Sequence, residues 1–543
     1  MSSRREFLSA PALLAARAKR PPNVVLIITD DQGYGDISLH GNPVLRTPSI
    51  DSIGREGVRF TRFRVSPVCA PTRASLMTGR WNYRTGVTDT YLGRAMMRPD
   101  EVTLPECLRT AGFRTGIFGK WHLGDNAPLR ATDQGFEEAL TLRGGGLAQP
   151  SSPPGTGYFD PPLEHNNRPI TGKGYCTDIF YDKAMEFVEQ NRAHPFFCYL
   201  ALNAPHTPLQ IGDEWVAPYR GKGLSEVTEK VYGMVSNIDS NTGRLLGHLK
   251  RLGIDRDTML IFMTDNGPQQ QRYNAGMRGL KTTVYEGGIR VPCFIRQPGA
   301  LAPREVRQQA AHVDLMPTIL EACGAALPKD RTIDGRSLLG WLNGPVAKPD
   351  ERTHFFQWHR GDEPEAWKNC AVVQGDWKLV NGTELYDLRN DPAESRNLRP
   401  NEPSIAASLR KEYEKWFEEV GRAGYAPPRI WVGSDIENPV VLTRQDWRGP
   451  KASWDAAGLG HYEVEVKRPG RYRVTLRFPH LMENATAVFE NGVTQLRATL
   501  NAGVTECSWE SEVAGTGPAR FEGRLEASGK TWGCHYIEVR RLE

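Results

Sequence analysis

The side chains best suited to chemistry gather where apolar runs end. Asp30 and Asp31 close an unbroken apolar run over 23–29, and Asp265 and Asn266 close another over 258–264. Runs without polar alternation predict strands covered on both faces, as in the parallel sheet of an α/β domain. In such sheets ligands collect at the carboxyl ends of the strands. Carboxylate and amide oxygens meeting there would suit a hard divalent cation, calcium or magnesium rather than zinc. Taken singly, each pair is as well explained by a turn closing a strand. Cys69, Pro71 and Arg73 form another candidate group. Pro71 suits the first turn of a helix and Gly79 supplies its stop. Cys69 then lies at the helix mouth, where unpaired N–H groups attract anions. Arg73 lies one turn deeper on the same face. A lone cysteine of this kind is more often a small buried residue. Lys120 and His122 follow the apolar run at 115–118, and His206 follows the run at 195–203. A surface lysine and a satisfied core histidine are the ordinary explanation of such a pair.

The cysteine stretch nevertheless has a specific likeness. Cys69-x-Pro71-x-Arg73 followed by Thr78-Gly79-Arg80 resembles the signature of the type I, formylglycine-dependent sulfatases, arylsulfatase-like members of the alkaline phosphatase superfamily. Thr72 stands where serine is commoner in that signature. Gly119-Lys120-Trp121-His122, Ala204-Pro205-His206-Thr207-Pro208 and the segment around Gly279 and Lys281 resemble further family motifs, and the likeness spans roughly 22–425. The resemblance implies that a formylglycine-generating maturation enzyme oxidises Cys69 to 3-oxoalanine, which is hydrated at rest. It implies one calcium ion, with magnesium a poorer alternative, held by Asp30, Asp31, Asp265, Asn266 and residue 69. It assigns sulfate contacts to Lys120 and Lys281, with Arg73 anchoring that corner and adding fixed positive charge. One hydroxyl of hydrated residue 69 would attack sulfur to give a covalent sulfoenzyme. His206, with Lys281, would protonate the departing alcohol, and His122 would take the second hydroxyl's proton as sulfate leaves. The expected activity is hydrolysis of aryl sulfates or sulfated carbohydrates. The alternatives are a phosphonate or phosphate ester hydrolase of the same superfamily, and a glycan-binding protein with a vestigial catalytic domain. The filled motif positions oppose the latter.

The elements that must position these residues predict an α/β fold: a large, mixed, mostly parallel sheet sandwiched by helices. A smaller C-terminal sheet-and-helix subdomain and an appended all-β sandwich follow. The chain has 543 residues, more than one ordinary core. The expected divisions are an export signal at 1–20, a catalytic domain at 22–345, the smaller subdomain at 346–425 and the sandwich at 430–543. Arg4-Arg5-x-Phe7-Leu8 before a short apolar run resembles a twin-arginine signal, which implies a bacterial protein exported after folding to the periplasm or beyond. Helices are expected near 178–191, 231–252 and 404–420, and 143–172 reads as a loop. Glu286 could pair with Arg278 or Arg290. Trp447, Trp454, Trp509 and Trp532 could stack on sugars, although aromatics in such modules are more often core. A net charge of +4 gives no case for nucleic acid, and no segment is long and apolar enough to span a bilayer. The nine cysteines show no Cys-x-x-Cys pair.

Overall fold

The computed structural model describes residues 20–344, 351–479, 481 and 483–542. The expected export signal and the division at 345/346 lie outside the described residues.

Ten strands form the principal sheet: β1 (Asn23–Thr29), β2 (Val58–Arg64), β3 (Arg114–Lys120), β4 (Glu138–Leu142), β5 (Pro162–His165), β6 (Arg168–Thr171), β7 (Phe196–Ala201), β8 (Thr258–Thr264), β9 (Cys293–Arg296) and β10 (Arg304–Ala311). Their order is β10-β2-β9-β8-β1-β7-β3-β4-β5-β6. The central strands β8, β1, β7, β3 and β4 run parallel. β9 opposes β8 and β2, and β5 and β6 form a hairpin against β4.

Every residue of β1 and β8 is buried. Successive side chains point to opposite faces. Val24, Leu26 and Ile28 join Met259, Ile261 and Met263 in one core cluster, whereas Val25 and Ile27 join Leu260 and Phe262 in another. Helices Cys69–Thr78, Leu104–Thr110 and Leu315–Cys323 cover the first face. Helices Pro48–Glu56, Cys176–Asn191 and Glu226–Arg251 cover the second. With both faces dry, nothing selects for polar alternation, which is why the strands are continuous apolar runs.

One glycine decides how closely two site-bearing strands approach. Gly119 has φ +123°, and a Cβ there would stand 1.9 Å from the Ala201 carbonyl oxygen. Only glycine lets β3 close on β7 immediately before Lys120.

Four antiparallel strands from Thr353–Gln357 to Glu384–Asp387 make a second sheet, and helix Pro403–Gly421 packs on it through Leu409, Tyr413 and Trp416. Beyond it, a six-stranded and a four-stranded sheet enclose an apolar cluster that includes Trp447. Trp454, Trp509 and Trp532 pack against the same cluster, so core packing accounts for these tryptophans.

Two local expectations change. Residues 143–172 are not all loop, since they include the β5–β6 hairpin; β6 is exposed along its length and so carries no apolar pattern. The helix expected at 231–252 starts earlier, at Glu226, where the Ser225 side chain caps the Thr228 N–H. All nine cysteines are free. No helix among the described residues is long and apolar enough to cross a membrane.

Replacing Gly119 with alanine is expected to destabilise the protein by about 3 kcal/mol, as overpacking against unyielding backbone does. A denaturant titration monitored by tryptophan fluorescence measures it, and an unchanged midpoint would contradict this account of the β3–β7 contact.

Candidate active site

β1 and β8 are adjacent and in register, with Thr29 opposite Thr264. The chain therefore leaves both strands at the same level and sets Asp30 and Asp31 beside Asp265 and Asn266, all buried. Asp31 sits at φ +63°, and its carbonyl accepts from Arg272 at 2.8 Å. Arg272 in turn makes a buried pair with Asp36. β3 brings Lys120 to the same edge, and β7 continues toward His206.

Cys69 begins the helix Cys69–Thr78, with Pro71 in its first turn, and Gly79 ends it at φ +66° with its N–H on the Ser75 carbonyl. Arg73 is wholly buried. Its guanidinium reaches Asp265 at 2.8 Å, the Lys120 carbonyl at 2.9 Å and the Leu202 carbonyl at 3.5 Å. One side chain thus ties the cysteine helix to the ends of β8, β3 and β7.

The other cations answer the remaining carboxylates. Lys120 Nζ lies 2.5 Å from Asp30 Oδ2, and Lys281 Nζ lies 2.6 Å from Asp31 Oδ1. Burial alone would raise the Asp30 pKa, but Lys120, His206, Lys281 and Arg73 outweigh it and hold the carboxyl well below the usual range. Asp265 moves the other way. Burial and the Asp30 charge push it up to about 7 against the pull of Arg73. Burial also pushes the Cys69 thiol up, despite Lys120 and Lys281. An activated cysteine nucleophile needs the opposite shift.

The two histidines present defined faces. His122 Nε2 is 2.7 Å from the Thr90 carbonyl oxygen. A carbonyl only accepts, so Nε2 carries the proton and Nδ1 the lone pair. Burial, reinforced by Lys120, holds the His122 pKa well below its usual value and keeps the ring neutral. His206 Nδ1 lies 2.6 Å from the Thr207 carbonyl oxygen, which leaves Nε2 free, 3.8 Å from Asp31 Oδ2. Burial lowers the His206 pKa, with Asp31 opposing and Lys281 assisting.

The donor set fits a hard divalent cation. Ligating atoms of Asp30, Cys69 and Asp265 lie within 4.8 Å of one another, as do those of Asp30, Asp31 and His206. Asp30 Oδ1, Asp31 Oδ2 and Asn266 Oδ1 are buried without a hydrogen-bond partner. Buried oxygens left over in this way are costly unless something positive meets them.

The candidate ligand and catalytic residues thus gather around the ends of the central strands. Other contributors were not singled out. A Cβ on Gly145 would lie 2.6 Å from His122 Nε2, and one on Gly146 would lie 3.3 Å from His206 Nδ1. This glycine run is the backing of both imidazoles; its composition was the only sequence signal. Thr90 and Arg272 carried no signal, because each acts through a contact distant in sequence. Glu286 pairs with Arg64 at 2.8 Å and Lys378 at 3.1 Å, and not with Arg278 or Arg290. Arg278 instead stacks over Tyr285 and Arg290 over Tyr34.

Buried cations beside a carboxylate cluster, with two buried histidines at the same strand ends, suit a hydrolase for oxyanion esters. Comparison with known proteins narrows that class. A sequence profile described as Sulfatase matches residues 22–325, and one described as N-sulphoglucosamine sulphohydrolase, C-terminal, matches 280–419. Mouse N-acetylgalactosamine-6-sulfatase is 34% identical, the match covering 72% of this chain and 79% of the relative. Human arylsulfatase A is 31% identical over 79% of this chain and 89% of its own. The crystal structure of Ps i-CgsB in complex with k-i-k-neocarrahexaose matches with a TM-score of 0.68 at 28% identity, covering 75% of this chain and 95% of that one. The chain belongs to the sulfatase family, and its activity is the hydrolysis of sulfate esters.

Replacing Arg73 with alanine removes the tie between helix and strand ends and leaves Asp265 buried beside Asp30 without its counter-charge. The expected loss is about 3–5 kcal/mol of stability, typical of breaking a buried ion pair, together with loss of sulfatase activity. Denaturant unfolding and aryl sulfate turnover measure the two effects.

Proposed function

We propose that this sulfatase removes sulfate from sulfated carbohydrates, using formylglycine made from Cys69 and one calcium ion held by Asp30, Asp31, Asp265, Asn266 and residue 69. The observation that carries the proposal is the set of partnerless buried oxygens on Asp30, Asp31 and Asn266, next to a cysteine whose thiol is disfavoured as thiolate. Three carboxylates balance the three cations Arg73, Lys120 and Lys281. A bound divalent ion would leave the site positive, as an anionic sulfate ester requires. Oxygen donors favour calcium, and its flexible coordination suits an irregular set better than magnesium's octahedron.

A hydrated aldehyde at position 69 would supply an oxygen nucleophile for sulfur, and the metal ion would supply Lewis acidity at the sulfuryl oxygens. The chain's own residues do the rest. Lys120, Lys281 and Arg73 hold positive charge where the transition state gathers negative charge. His206 presents Nε2, the nitrogen not engaged by Thr207; protonated there to the imidazolium beside Asp31, it supplies that proton to the departing alcohol. His122 presents the Nδ1 lone pair and accepts a proton from the hydroxyl of residue 69. A plain thiol has no second hydroxyl to give up, so unconverted Cys69 could not release sulfate.

Carbohydrate is favoured as the substrate because relatives are named N-acetylgalactosamine-6-sulfatase and one matched structure holds k-i-k-neocarrahexaose. Export through a twin-arginine-like signal and maturation by a formylglycine-generating enzyme complete the proposal, and both rest on sequence pattern alone. The divisions at 22–345, 346–425 and 430–543 are proposed on the same footing.

Two experiments test this reading. In protein from a host with the maturation enzyme, mass spectrometry of the Cys69 peptide is expected to show –CH2SH exchanged for –CHO, and Cys69→Ala to abolish turnover while its midpoint under chelation equals that of the chelated wild type. Retained activity in that variant defeats the proposal, as does a faster rate on aryl phosphonate than on aryl sulfate. Chelation is expected to lower the unfolding midpoint of the wild type, since a ligand bound only by the native state stabilises it. Calcium should restore the midpoint at lower concentration than magnesium.

A further inference from the structure

The sandwich beyond residue 430 lies outside both matched profiles, yet it reaches the active site. Gln445 follows the sandwich strand Val440–Thr443. Its side-chain Nε2 donates to the Thr90 carbonyl at 2.9 Å. That carbonyl also accepts from His122 Nε2 at 2.7 Å. The Gln445 main-chain carbonyl in turn accepts from Gly93 N–H at 2.9 Å. One residue of the sandwich therefore grips both ends of the irregular turn 90–93, and that turn holds the imidazole.

The grip is built into the packing. Leu92 and Met96 are buried in the same apolar cluster as the sandwich residues Trp447 and Leu442. The Tyr91 and Trp454 rings meet edge-on at 5.1 Å. Gly93 stands at φ +69°, and a Cβ there would meet Arg448 Cδ at 2.7 Å and the Asp446 carbonyl oxygen at 3.0 Å. Nearby, Arg94 and Arg448 share Asp362 at 3.0 and 3.1 Å. His122 itself has φ +62°. A non-glycine residue there costs free energy and persists only where its surroundings over-determine it. The Thr90 hydrogen bond is one such constraint, and it leaves His122 Nδ1 buried without a partner.

We infer that the sandwich domain completes the active site, with Gln445 as a positioning residue that fixes the orientation and tautomer of His122 through the Thr90 carbonyl. The inference rests on the role proposed above for His122, and it assigns the sandwich a part in the second stage of turnover, sulfate release. The carbonyl can accept two hydrogen bonds, and His122 and Gln445 take both. Without the amide donor the turn loses its side-chain anchor, and the imidazole shifts away from residue 69. Small misplacements of this kind cost on the order of 10-fold to 100-fold in rate.

Gln445→Ala and Gln445→Glu test this, the second keeping the shape while replacing the donor NH2 by an acceptor. For 4-nitrophenyl sulfate, kcat is expected to fall about 10-fold. KM should fall in parallel, so that kcat/KM is preserved, because only the stage after alcohol release is slowed. Rapid mixing should then show a burst of one nitrophenol per active site. A second readout needs no turnover: in protein labelled with 15N-histidine, the hydrogen-bonded Nε2–H resonance of His122, assigned with His122→Gln, should weaken or move upfield in both variants. A fall in kcat/KM equal to that in kcat, without a burst, overturns the inference, as does an unmoved His122 resonance. Absence of sulfatase activity in the matured wild type would instead defeat the proposed function, while the resonance still reports on the Gln445–Thr90–His122 linkage.

Discussion

Everything in this molecule depends on keeping three buried carboxylates together. Asp30, Asp31 and Asp265 are buried at the ends of two adjacent strands, where their mutual repulsion alone would expel them or protonate them. Burial first, and the Asp30 charge after it, push Asp265 up to about 7. Arg73 from the cysteine helix, Lys120 from the end of β3 and Lys281 from the segment after β8 relieve the repulsion. The site is therefore a balance of charge that the entire central sheet has to hold in register.

That constraint explains features that otherwise look unrelated. Gly119 lets β3 approach β7 closely enough to bring Lys120 to Asp30. Arg73 is buried among backbone carbonyls because it fastens the cysteine helix to the carboxylates it neutralises. Arg272 and Asp36 hold the Asp31 backbone in its left-handed conformation. The oxygens left without partners mark where a further positive charge belongs, so the same arrangement that stabilises the fold prepares the chemistry.

The histidines obey a different rule. Their environment removes charge, and their hydrogen bonds to carbonyls decide which nitrogen can act. His206 takes its carbonyl from the next residue, Thr207. His122 takes its carbonyl from Thr90, on a turn that Gln445 also holds. The orientation of one imidazole thus rests on contacts distant in sequence, while that of the other is locally determined.

The sequence by itself determined the central sheet, the helix opening at Cys69 and the identity of the residues that meet at the strand edge. It could do so because those features are local: unbroken apolar runs, a proline and glycine bracketing a helix, and carboxylates at strand ends. The motif likeness supplied the roles that spacing alone left open between a turn and a ligand. Pattern reading misjudged the partners of Glu286, which lie far along the chain, and two local features without an apolar pattern: the exposed hairpin within 143–172 and the polar first turn of the Glu226–Arg251 helix. Only the tertiary structure decided that Gly145 and Gly146 back the histidines and that Gln445 shares the Thr90 carbonyl with His122. A hydrogen bond between residues 355 positions apart leaves no periodicity or spacing in a single sequence, because what fixes it is the docking of one folded surface on another.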